Sequence, residues 1–443
     1  MSLIPSHPDF LFVSCRPLWP LEHGVSICGC QMARALTRQN VRVAIASIEP
    51  LPEDAPPELR RINVPWPRAS ASDIAQLRRG WGGALRAVRH RLARYDGIDP
   101  LALSGVVGLT RALSPRVVIG VGLHSPLMLR ALRDNGSRPL KRIWYGADEL
   151  VYHHVTCLGR EPWGRWPRRL WQLVRHAMHE RLFVPGLDGA IGVSPLDAFL
   201  LRWIAGAKEG LTIRNGVDLE YFTPPPRSAR ANWRQRFSTA GTSENDAPRR
   251  SAVFWGCMDF YPNADAARWF AHRVWPLVRA RWPEARFQIV GKRPGPGIVD
   301  LGRIPGIHVL GEVPDVRPFA WHSTVTVQPM QCGTGIKNKL LEAAAMGRPI
   351  IASPHAVRGL RFDGPRRPML VCASPDQWVE ALQRLWENQD LAGQLGREAR
   401  SWARQHHSWG AAAQTLRERV LPPCHPPMAG TPAPHQEGLR RAA

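Results

Sequence analysis

Short apolar segments alternate with helix-like segments along most of the chain, and this alternation constrains the fold more than any other feature. The first apolar segments are DFLFVS (9–14), VRVAIAS (41–47) and RVVIGVG (116–122). Between the first two, the apolar side chains, among them Ile27 and Met32, recur at helical spacing. Strands joined through helices need crossover connections, which build parallel sheets. The pattern therefore predicts an α/β fold.

The alternation stops near residue 223 and resumes at 251, which divides the chain into two α/β halves. The intervening segment is rich in Pro, Arg, Ser, Thr and Asn and has no periodicity, as is typical of a linker. We expect two doubly wound, Rossmann-like domains that face each other across a cleft, with ligands at the carboxyl ends of strands. The predicted division is a first domain at 1–222, a linker at 223–250, a second domain at 251–395, C-terminal helices at 396–421 that pack back toward the first domain, and a disordered tail at 422–443.

The net charge of +23 is compatible with nucleic acid, an anionic membrane surface or a phosphorylated substrate as partner. The arginines are scattered and no recognised nucleic-acid module is present, so we expect no nucleic-acid partner. Only five residues are lysines, and two of them, Lys337 and Lys339, stand in one motif. Because arginine supplies nearly all other positive charge, these two compact ammonium groups mark the motif as a candidate anion site.

The eight cysteines form no C-x-x-C pair and no Cys/His spacing typical of zinc, which indicates free thiols in a reducing compartment. No run of about 18 uninterrupted apolar residues occurs, and the N-terminus lacks the basic, apolar and small-residue regions of a signal peptide. We therefore expect a cytoplasmic protein.

The strongest local signal is VTVQPMQCGTGIKNKLLEAAAMGRPIIAS, in which a buried strand leads through Gly333-Thr334-Gly335 into a helix. Glycines at such a turn let a ligand approach the backbone, and the helix N-terminus offers unpaired N–H groups and a partial positive charge. Two lysines in the first turn oppose the helix dipole, which indicates that they serve an external anion such as a diphosphate. Glu342, on a helix face of small residues, can accept two hydrogen bonds from a ribose diol.

These residues resemble the family-4 glycosyltransferases and their GT-B relatives. Glu342 followed by AAAMGRPIIAS matches the second half of the family motif, whereas Thr334 stands where the family has a loop glutamate. The variant GTGIKNKLLEA, together with FWGCMDFYPNADAARWF and HVLGEVPDVRPF, is more similar to the exosortase-associated, PEP-CTERM-type sugar transferases. The resemblance is close over residues 250–355 and weaker over 9–46, 117–126 and 186–222, and together these segments cover about half of the chain.

The resemblance implies further donor-binding residues in the second domain. Gly256 corresponds to a glycine that faces the donor diphosphate, and Cys257-Met258-Asp259 replaces the basic residues that many relatives have after it. Gly291 closes the next strand, while Glu312 and Val313 correspond to the place where relatives hold the nucleotide base through backbone groups. Simple turn geometry is the alternative explanation for each glycine.

In the first domain the resemblance implies three cleft residues. Gly24 corresponds to a glycine loop near the donor phosphate and the acceptor, and His124 to a histidine that touches the donor sugar. Asp148 corresponds to an acceptor-side carboxylate, but it could equally be the N-cap of the helix that begins with ELVYHHVT. A purely structural role for His124 is the other alternative.

The function that follows is transfer of a sugar from a nucleoside-diphosphate sugar to a cell-envelope glycan or lipid-linked acceptor. The resemblance implies retention at the anomeric carbon, with His124, Asp148, Lys337 and Lys339 as catalytic candidates. No Asp-x-Asp constellation for a bridging cation occurs, so we expect neither a metal nor a cofactor. The alternatives are a GT-B-fold nucleotide-sugar epimerase and a basic nucleic-acid-binding protein without enzymatic activity.

Residues 160–181 form a candidate membrane-binding helix. The segment contains six arginines and three tryptophans, and Leu170, Val174, Ala177 and Met178 form an apolar stripe at helical spacing. Such a helix either lies on the anionic inner face of the cytoplasmic membrane or packs its stripe into the core and exposes a basic face. Only the first arrangement favours a lipid-linked acceptor.

Overall fold

The computed structural model describes residues 7–14, 18–19, 24–47, 51–65, 102–123, 125–132, 139–226 and 250–421, and the structural statements below refer to these ranges. Residues 227–249 of the linker predicted at 223–250, and the whole of the tail predicted at 422–443, lie outside them.

The first domain is built on a parallel sheet. Its strands in the described ranges are Phe10–Ser14 (β1), Val43–Ser47 (β2), Asn63–Pro65 (β3), Val117–Val121 (β4), Lys141–Ala147 (β5), Gly189–Gly192 (β6) and Gly210–Thr212 (β7). They are ordered β3-β2-β1-β4-β5-β6-β7. The central strand β1 is fully buried, since helices cover both faces of a parallel sheet of this kind.

The helices of the first domain follow the strands in sequence. They are Gly24–Arg38 (α1), Pro57–Ile62 (α2), Ala102–Leu113 (α3), Ser125–Ala131 (α4), Leu150–Leu158 (α5), Trp166–Phe183 (α6) and Pro195–Trp203 (α7). A short 3-10 turn, Trp163–Arg165, precedes α6.

The second domain repeats this architecture. Its strands are Ser251–Trp255 (β8), Arg286–Val290 (β9), Ile307–Gly311 (β10), Val325–Gln328 (β11), Ile350–Ala352 (β12) and Leu370–Val371 (β13), ordered β10-β9-β8-β11-β12-β13. Its helices are Tyr261–Trp269 (α8), Trp275–Arg281 (α9), Pro296–Val299 (α10), Arg317–His322 (α11), Asn338–Ala345 (α12), Pro375–Glu387 (α13) and Gln389–His406 (α14). A π-helical segment, Phe270–Val274, joins α8 to α9, and a 3-10 turn, Asp300–Arg303, follows α10.

Both sheets therefore have the doubly wound strand order, and the α/β prediction is confirmed. Every pairing between these strands is parallel within the described ranges. The apolar runs predicted these strands correctly because both faces of a strand in such a parallel sheet are buried.

The last helix, Trp409–Val420 (α15), returns to the first domain. It packs on α1, where Gln39 donates to the carbonyl of Gly410 at 2.7 Å, and Lys141 donates to the carbonyl of Val420 at 3.0 Å. The predicted boundary between 395 and 396 is wrong, because α14 runs through it. A methyl group on Gly396 would lie 2.2 Å from the carbonyl oxygen of Gly347, so α14 packs tightly on the second domain.

Candidate functional site

The strand order of the second sheet reverses between β8 and β11. The loops after these two strands both contact the first domain, through Phe260 on His153 and through the Gly333 amide on Thr156. In doubly wound sheets, ligands bind outside the carboxyl ends of the strands at such a point. Gly256 follows β8, and the segment Gly333-Thr334-Gly335 follows β11. The motif singled out in the sequence therefore occupies the position at which this architecture binds ligands.

Two glycines at the ends of β8 and β9 pack against each other. A methyl group on Gly291 would lie 1.7 Å from the carbonyl oxygen of Gly256, so backbone packing alone requires glycine at position 291. A methyl group on Gly256 would lie 2.8 Å from Nδ2 of Asn263 and 2.9 Å from Nζ of Lys339. Glycine at 256 thus leaves room for two polar groups at the strand end.

The loop after β11 is attached to α5 of the first domain. The Gly333 amide donates to Oγ1 of Thr156 at 3.0 Å, and Oγ1 of Thr334 donates to the Glu149 carbonyl at 3.4 Å. The backbone has positive φ at Gly333 (91°) and Gly335 (72°), a region that favours glycine. The loop thus has a backbone conformation that favours glycine, and it lies between the two domains.

The structure distinguishes the two predicted roles of Asp148, a carboxylate in the cleft and the N-cap of α5. The N-cap of α5 is Glu149, whose carboxylate accepts from the amides of Val151 at 3.1 Å and Tyr152 at 2.5 Å. The Asp148 carboxylate instead lies against Gly335, where an added methyl group would be 1.8 Å from Oδ1. The N-cap interpretation of Asp148 is therefore wrong, because the next residue satisfies the helix N-terminus.

Lys337 is buried beside this contact. Its Nζ donates to the Thr334 carbonyl at 2.5 Å, and burial lowers its pKa while Asp148 and Asp197 oppose that shift. Burial raises the pKa of Asp148, against the effect of Lys337. The predicted start of the helix directly after Gly335, with Lys337 in its first turn, is wrong. Helix α12 begins at Asn338 with Lys337 as an extended N-cap, because the left-handed backbone at Gly335 delays the helix.

Lys339 faces the opposite side of the turn. Its Nζ donates to Oδ1 of Asn263 and lies 5.0 Å from the ring centre of Phe254. Burial lowers the pKa of Lys339 to about 7, although the Glu342 carboxylate opposes that shift. A lysine with a pKa near 7 is only partly charged at neutral pH, and it can become fully charged when an anion binds beside it.

Glu342 is half-buried, and its Oε2 accepts a 2.7 Å hydrogen bond from the indole Nε1 of Trp255. Burial raises its pKa, against the effects of Trp255 and Lys339. Tyr221, at the end of the first domain, is close enough for Glu342 to raise its pKa in turn, after larger effects of burial and of nearby charged groups. Trp255 occupies one side of the carboxyl group and orients it, and such a carboxylate has acceptor capacity left for hydroxyl groups.

The residues predicted to hold a nucleotide base lie at the end of β10. The Gly311 carbonyl accepts from the Gly291 amide at 2.7 Å, and no atom lies within 4 Å of the position of a methyl group on Gly311. Glu312 is exposed and pairs with Lys292 at 3.3 Å, so its side chain joins the ends of β9 and β10. Val313 is partly buried against the core.

Gly24 and His124 are the other two first-domain residues predicted for the site. Gly24 is the exposed first residue of α1, and no atom lies within 4 Å of an added methyl group. The space beside Gly24 is open, and nothing in the described structure requires glycine there. His124 lies outside the described residues.

Three residues of the site were not identified from the sequence. They are Trp255, Asn263 and Asp197. An asparagine buried among the alanines of α8 was a usable signal for Asn263. Asp197 was harder to find, because Ser194-x-x-Asp197 is an ordinary helix start: Oγ of Ser194 accepts from the Asp197 amide at 3.1 Å. Burial, together with Asp148, raises the pKa of Asp197 to about 6.

Comparisons with known proteins agree with this architecture. Residues 249–388 match the family model "Glycosyl transferases group 1". No curated protein matches the chain in sequence. Sucrose-phosphate synthase from Thermosynechococcus elongatus is similar in structure over 92% of this chain and 97% of its own, with 17% identity and a TM-score of 0.62.

Two further solved structures are similar over nearly their whole length. HepE from Anabaena, in complex with UDP and glucose, covers 94% of this chain and 99% of its own with 14% identity and a TM-score of 0.61. WaaG, a glycosyltransferase involved in lipopolysaccharide biosynthesis, covers 93% and 99% with 13% identity and a TM-score of 0.54. This chain has the GT-B fold. The family match of the second domain and the shared fold together support a glycosyltransferase.

In this GT-B chain the loop at 333–335 lies at the interface of the two domains, which is where the sequence predicted a ligand site. No cluster of three or more His, Cys, Asp or Glu side chains that could hold a metal ion occurs in the parts of the chain described. The site thus combines a glycine turn, two lysines and a half-buried glutamate at the switch point of the second sheet.

Proposed function

We propose that this protein transfers a glycosyl unit from a nucleoside-diphosphate sugar, with the donor bound at the second domain. The observation that carries the proposal is the convergence of Gly256, Lys339 and Glu342 at one strand end. In this arrangement Lys339 and the first amides of α12 hold the diphosphate, and Glu342, oriented by Trp255, holds the ribose. The complexes of HepE with UDP and with UDP-glucose support a donor of this class.

The reaction we infer proceeds with retention and needs no metal ion. The acceptor oxygen bonds to the anomeric carbon, the bond from that carbon to the diphosphate oxygen breaks, and the acceptor proton moves to the leaving diphosphate. Positive groups fixed beforehand stabilise the charge that develops on the leaving group. Lys339 and the α12 amides supply that stabilisation in our proposal. Activity that survives excess EDTA supports metal independence, and loss of activity that Mg²⁺ restores contradicts it.

Asp148 and Lys337 have a positioning role in this proposal. Asp148 packs on the backbone at Gly335, and Lys337 donates within the same loop, so the pair holds the donor loop against the first domain. His124 stays a predicted contact to the donor sugar, as the sequence resemblance implies. Asp148→Asn should raise KM for the donor more than it lowers kcat if positioning is its role.

We infer that the acceptor is a cell-envelope glycan or lipid-linked glycan and that the protein works at the cytoplasmic face of a membrane. The interpretation of 160–181 as a core-packed helix is wrong, since Leu170, Val174 and Met178 are 44%, 46% and 49% exposed. An exposed apolar stripe on an arginine-rich helix suits an anionic bilayer surface. None of the helices in the described ranges has the length and apolar character needed to cross a bilayer.

The variant of the donor motif with Thr334 and Lys337 also leads us to place the protein with the exosortase-associated sugar transferases. The sugar transferred would then belong to an exported polymer.

The deciding experiment is titration of a panel of nucleoside diphosphates and their sugars into the wild type and Glu342→Ala. We expect one nucleotide to bind the wild type selectively and the variant to bind it about 10- to 100-fold more weakly, because a hydrogen bond to a charged group is lost. Glu380→Ala, an exposed glutamate on α13, is the matched control. Equal affinity of Glu342→Ala and wild type would remove the ribose contact from the proposal.

A further inference from the structure

A cavity of about 640 Å³ lies between the two domains, beside the proposed donor site. Its first-domain wall is formed by α5, the 3-10 turn and the start of α6. Its second-domain wall is formed by the loops after β8 and β9 and by helices α8 and α10, to which those loops lead. The two loops start at Gly256 and Gly291, so the cavity lies a few residues beyond the strand ends at which the donor is proposed to bind.

The walls of this cavity carry a strong positive charge. Five arginines line it against two carboxylates, Glu161 and Asp259. Both carboxylates are already paired: Glu161 with Arg169, both nearly buried, and Asp259 with Arg293 at 2.9 Å. The other lining arginines are Arg165, Arg168 and Arg268.

No acidic side chain of the described residues lies within ion-pair distance of these three arginines. The guanidinium of Arg268 lies 5.8 Å from the centre of the Tyr261 ring. Arg165, at the end of the 3-10 turn, and Arg168, in the first turn of α6, are both exposed. Planar guanidinium groups bind phosphate oxygens through paired N–H donors. Such a concave, arginine-lined space suits a phosphate group.

The cavity and the donor loop share helix α5, on which Thr156 accepts from the Gly333 amide at 3.0 Å. His153 lines the cavity and stacks on Phe260, with ring centres 5.5 Å apart. The same imidazole interacts electrostatically with Asp148, the residue that packs on Gly335. A molecule in the cavity is thus adjacent to the donor loop without occupying the position proposed for the diphosphate.

Helix α6 connects the cavity to the exposed apolar stripe. Residues of a helix are separated by about 100° around its axis, so the pair Arg168 and Gln172 is on average about 120° from the pair Val174 and Met178. The first pair lines the cavity, and the second pair is exposed. An α-helix with its side chains is about 10–12 Å across, so the cavity lies within about one helix diameter of this apolar face.

We propose that the cavity binds a phosphate group of the acceptor, so that the acceptor is a phosphate-bearing molecule rather than a neutral glycan. The inference rests on the proposed function, because it assigns the second substrate of that same reaction. Arg165, Arg168 and Arg268 hold the phosphate, and the acceptor hydroxyl extends past His153 toward the donor sugar. The phosphate itself is unchanged in the reaction.

The test is titration of inorganic phosphate into the full-length protein, with and without saturating UDP, followed by calorimetry. The wild type should bind phosphate in both conditions, and Arg165→Gln/Arg168→Gln should bind it at least roughly tenfold more weakly, since two charged contacts are lost. The variant should bind UDP as the wild type does. Arg273→Gln/Arg281→Gln, which removes the same charge from exposed positions of the second domain, is the control and should behave as the wild type.

Two results would overturn the inference. One is no phosphate binding to the UDP-saturated wild type. The other is an equal loss of UDP and phosphate affinity in Arg165→Gln/Arg168→Gln, which would make the cavity part of the donor site. If no nucleoside diphosphate binds the wild type, the proposed function fails instead, and the titration without nucleotide still reports on the cavity.

The source of the phosphate is distinguished by two further probes, glucose 6-phosphate and phosphatidylcholine vesicles with or without phosphatidic acid. Competition with inorganic phosphate by the soluble sugar phosphate alone indicates a soluble acceptor. Competition by the phosphatidic acid vesicles indicates a lipid phosphate. Competition by neither, with inorganic phosphate bound, contradicts a phosphate-bearing acceptor.

Discussion

The carboxylate of Asp148 in the first domain lies against the backbone of Gly335 in the second, so close that a methyl group at Gly335 would be 1.8 Å from Oδ1. Asp148 follows β5 of the first sheet and Gly335 lies in the loop after β11 of the second, and their contact brings the donor loop to the wall of the cleft. Because Gly335 also has a φ of 72°, both sterics and backbone strain oppose any side chain there.

Gly335→Ala should separate the donor loop from the first domain. We expect it to lose about 1–3 kcal/mol of unfolding free energy or of nucleotide affinity, from strain and from the clash with Asp148. Gly108→Ala in α3, where no atom lies within 4 Å of the added methyl group, should be neutral or slightly stabilising. Adding Asp148→Ala to Gly335→Ala should recover part of the loss, and strict additivity would show that the two residues do not interact.

Nucleotide affinity should depend on pH through Lys339. In the free protein its pKa is about 7, so it is charged below that pH and mostly neutral above it. Because the diphosphate favours the charged form, UDP affinity should fall by up to about tenfold per pH unit as the pH rises above 7, with proton uptake on binding. Calorimetry in buffers of different ionisation enthalpy measures both quantities. The Lys339→Met variant should bind more weakly with no such slope, and a slope that persists in it would assign the proton elsewhere.

The proposed contact between Glu342 and the ribose can be tested by removing a hydroxyl group from the ligand. Wild type should bind 2′-deoxy-UDP more weakly than UDP by about 1.5–3 kcal/mol, the range for a hydrogen bond to a charged group. In Glu342→Ala this difference should vanish, because the partner of the hydroxyl is gone. A difference of the same size in both proteins would mean that another group contacts the ribose.

Membrane attachment should depend on the exposed apolar side chains of α6. Trp171 and Val174 are 64% and 46% exposed, so replacing both by Gln should leave the thermal unfolding midpoint nearly unchanged. We expect Trp171→Gln/Val174→Gln to bind anionic vesicles roughly tenfold more weakly in flotation assays, since buried apolar area is lost. Leu277→Gln/Val299→Gln, at exposed apolar positions of the second domain, is the control. A wild type that stays wholly in the soluble fraction contradicts the membrane proposal.

Much of the architecture was predictable because parallel strands are buried on both faces. DFLFVS and SAVFWG stand out as apolar runs, and they became the central strands β1 and β8. The glycine turn at 333–335 was also recognisable, since positive φ and a strand-to-helix junction both favour glycine. The start of α12 was misplaced by two residues, because the geometry of that turn is not visible in hydrophobic periodicity.

The sequence by itself determined the two α/β halves and the location of the anion motif, because strand burial and turn chemistry act between near neighbours in the chain. The tertiary structure alone decided that Glu149 caps α5 while Asp148 contacts Gly335, and that Trp255 orients Glu342. It also decided which side of α6 faces solvent and that five arginines surround one cavity. The physical reason is that these contacts join segments far apart in the chain, whose distances and desolvation exist only once both sheets have formed and met.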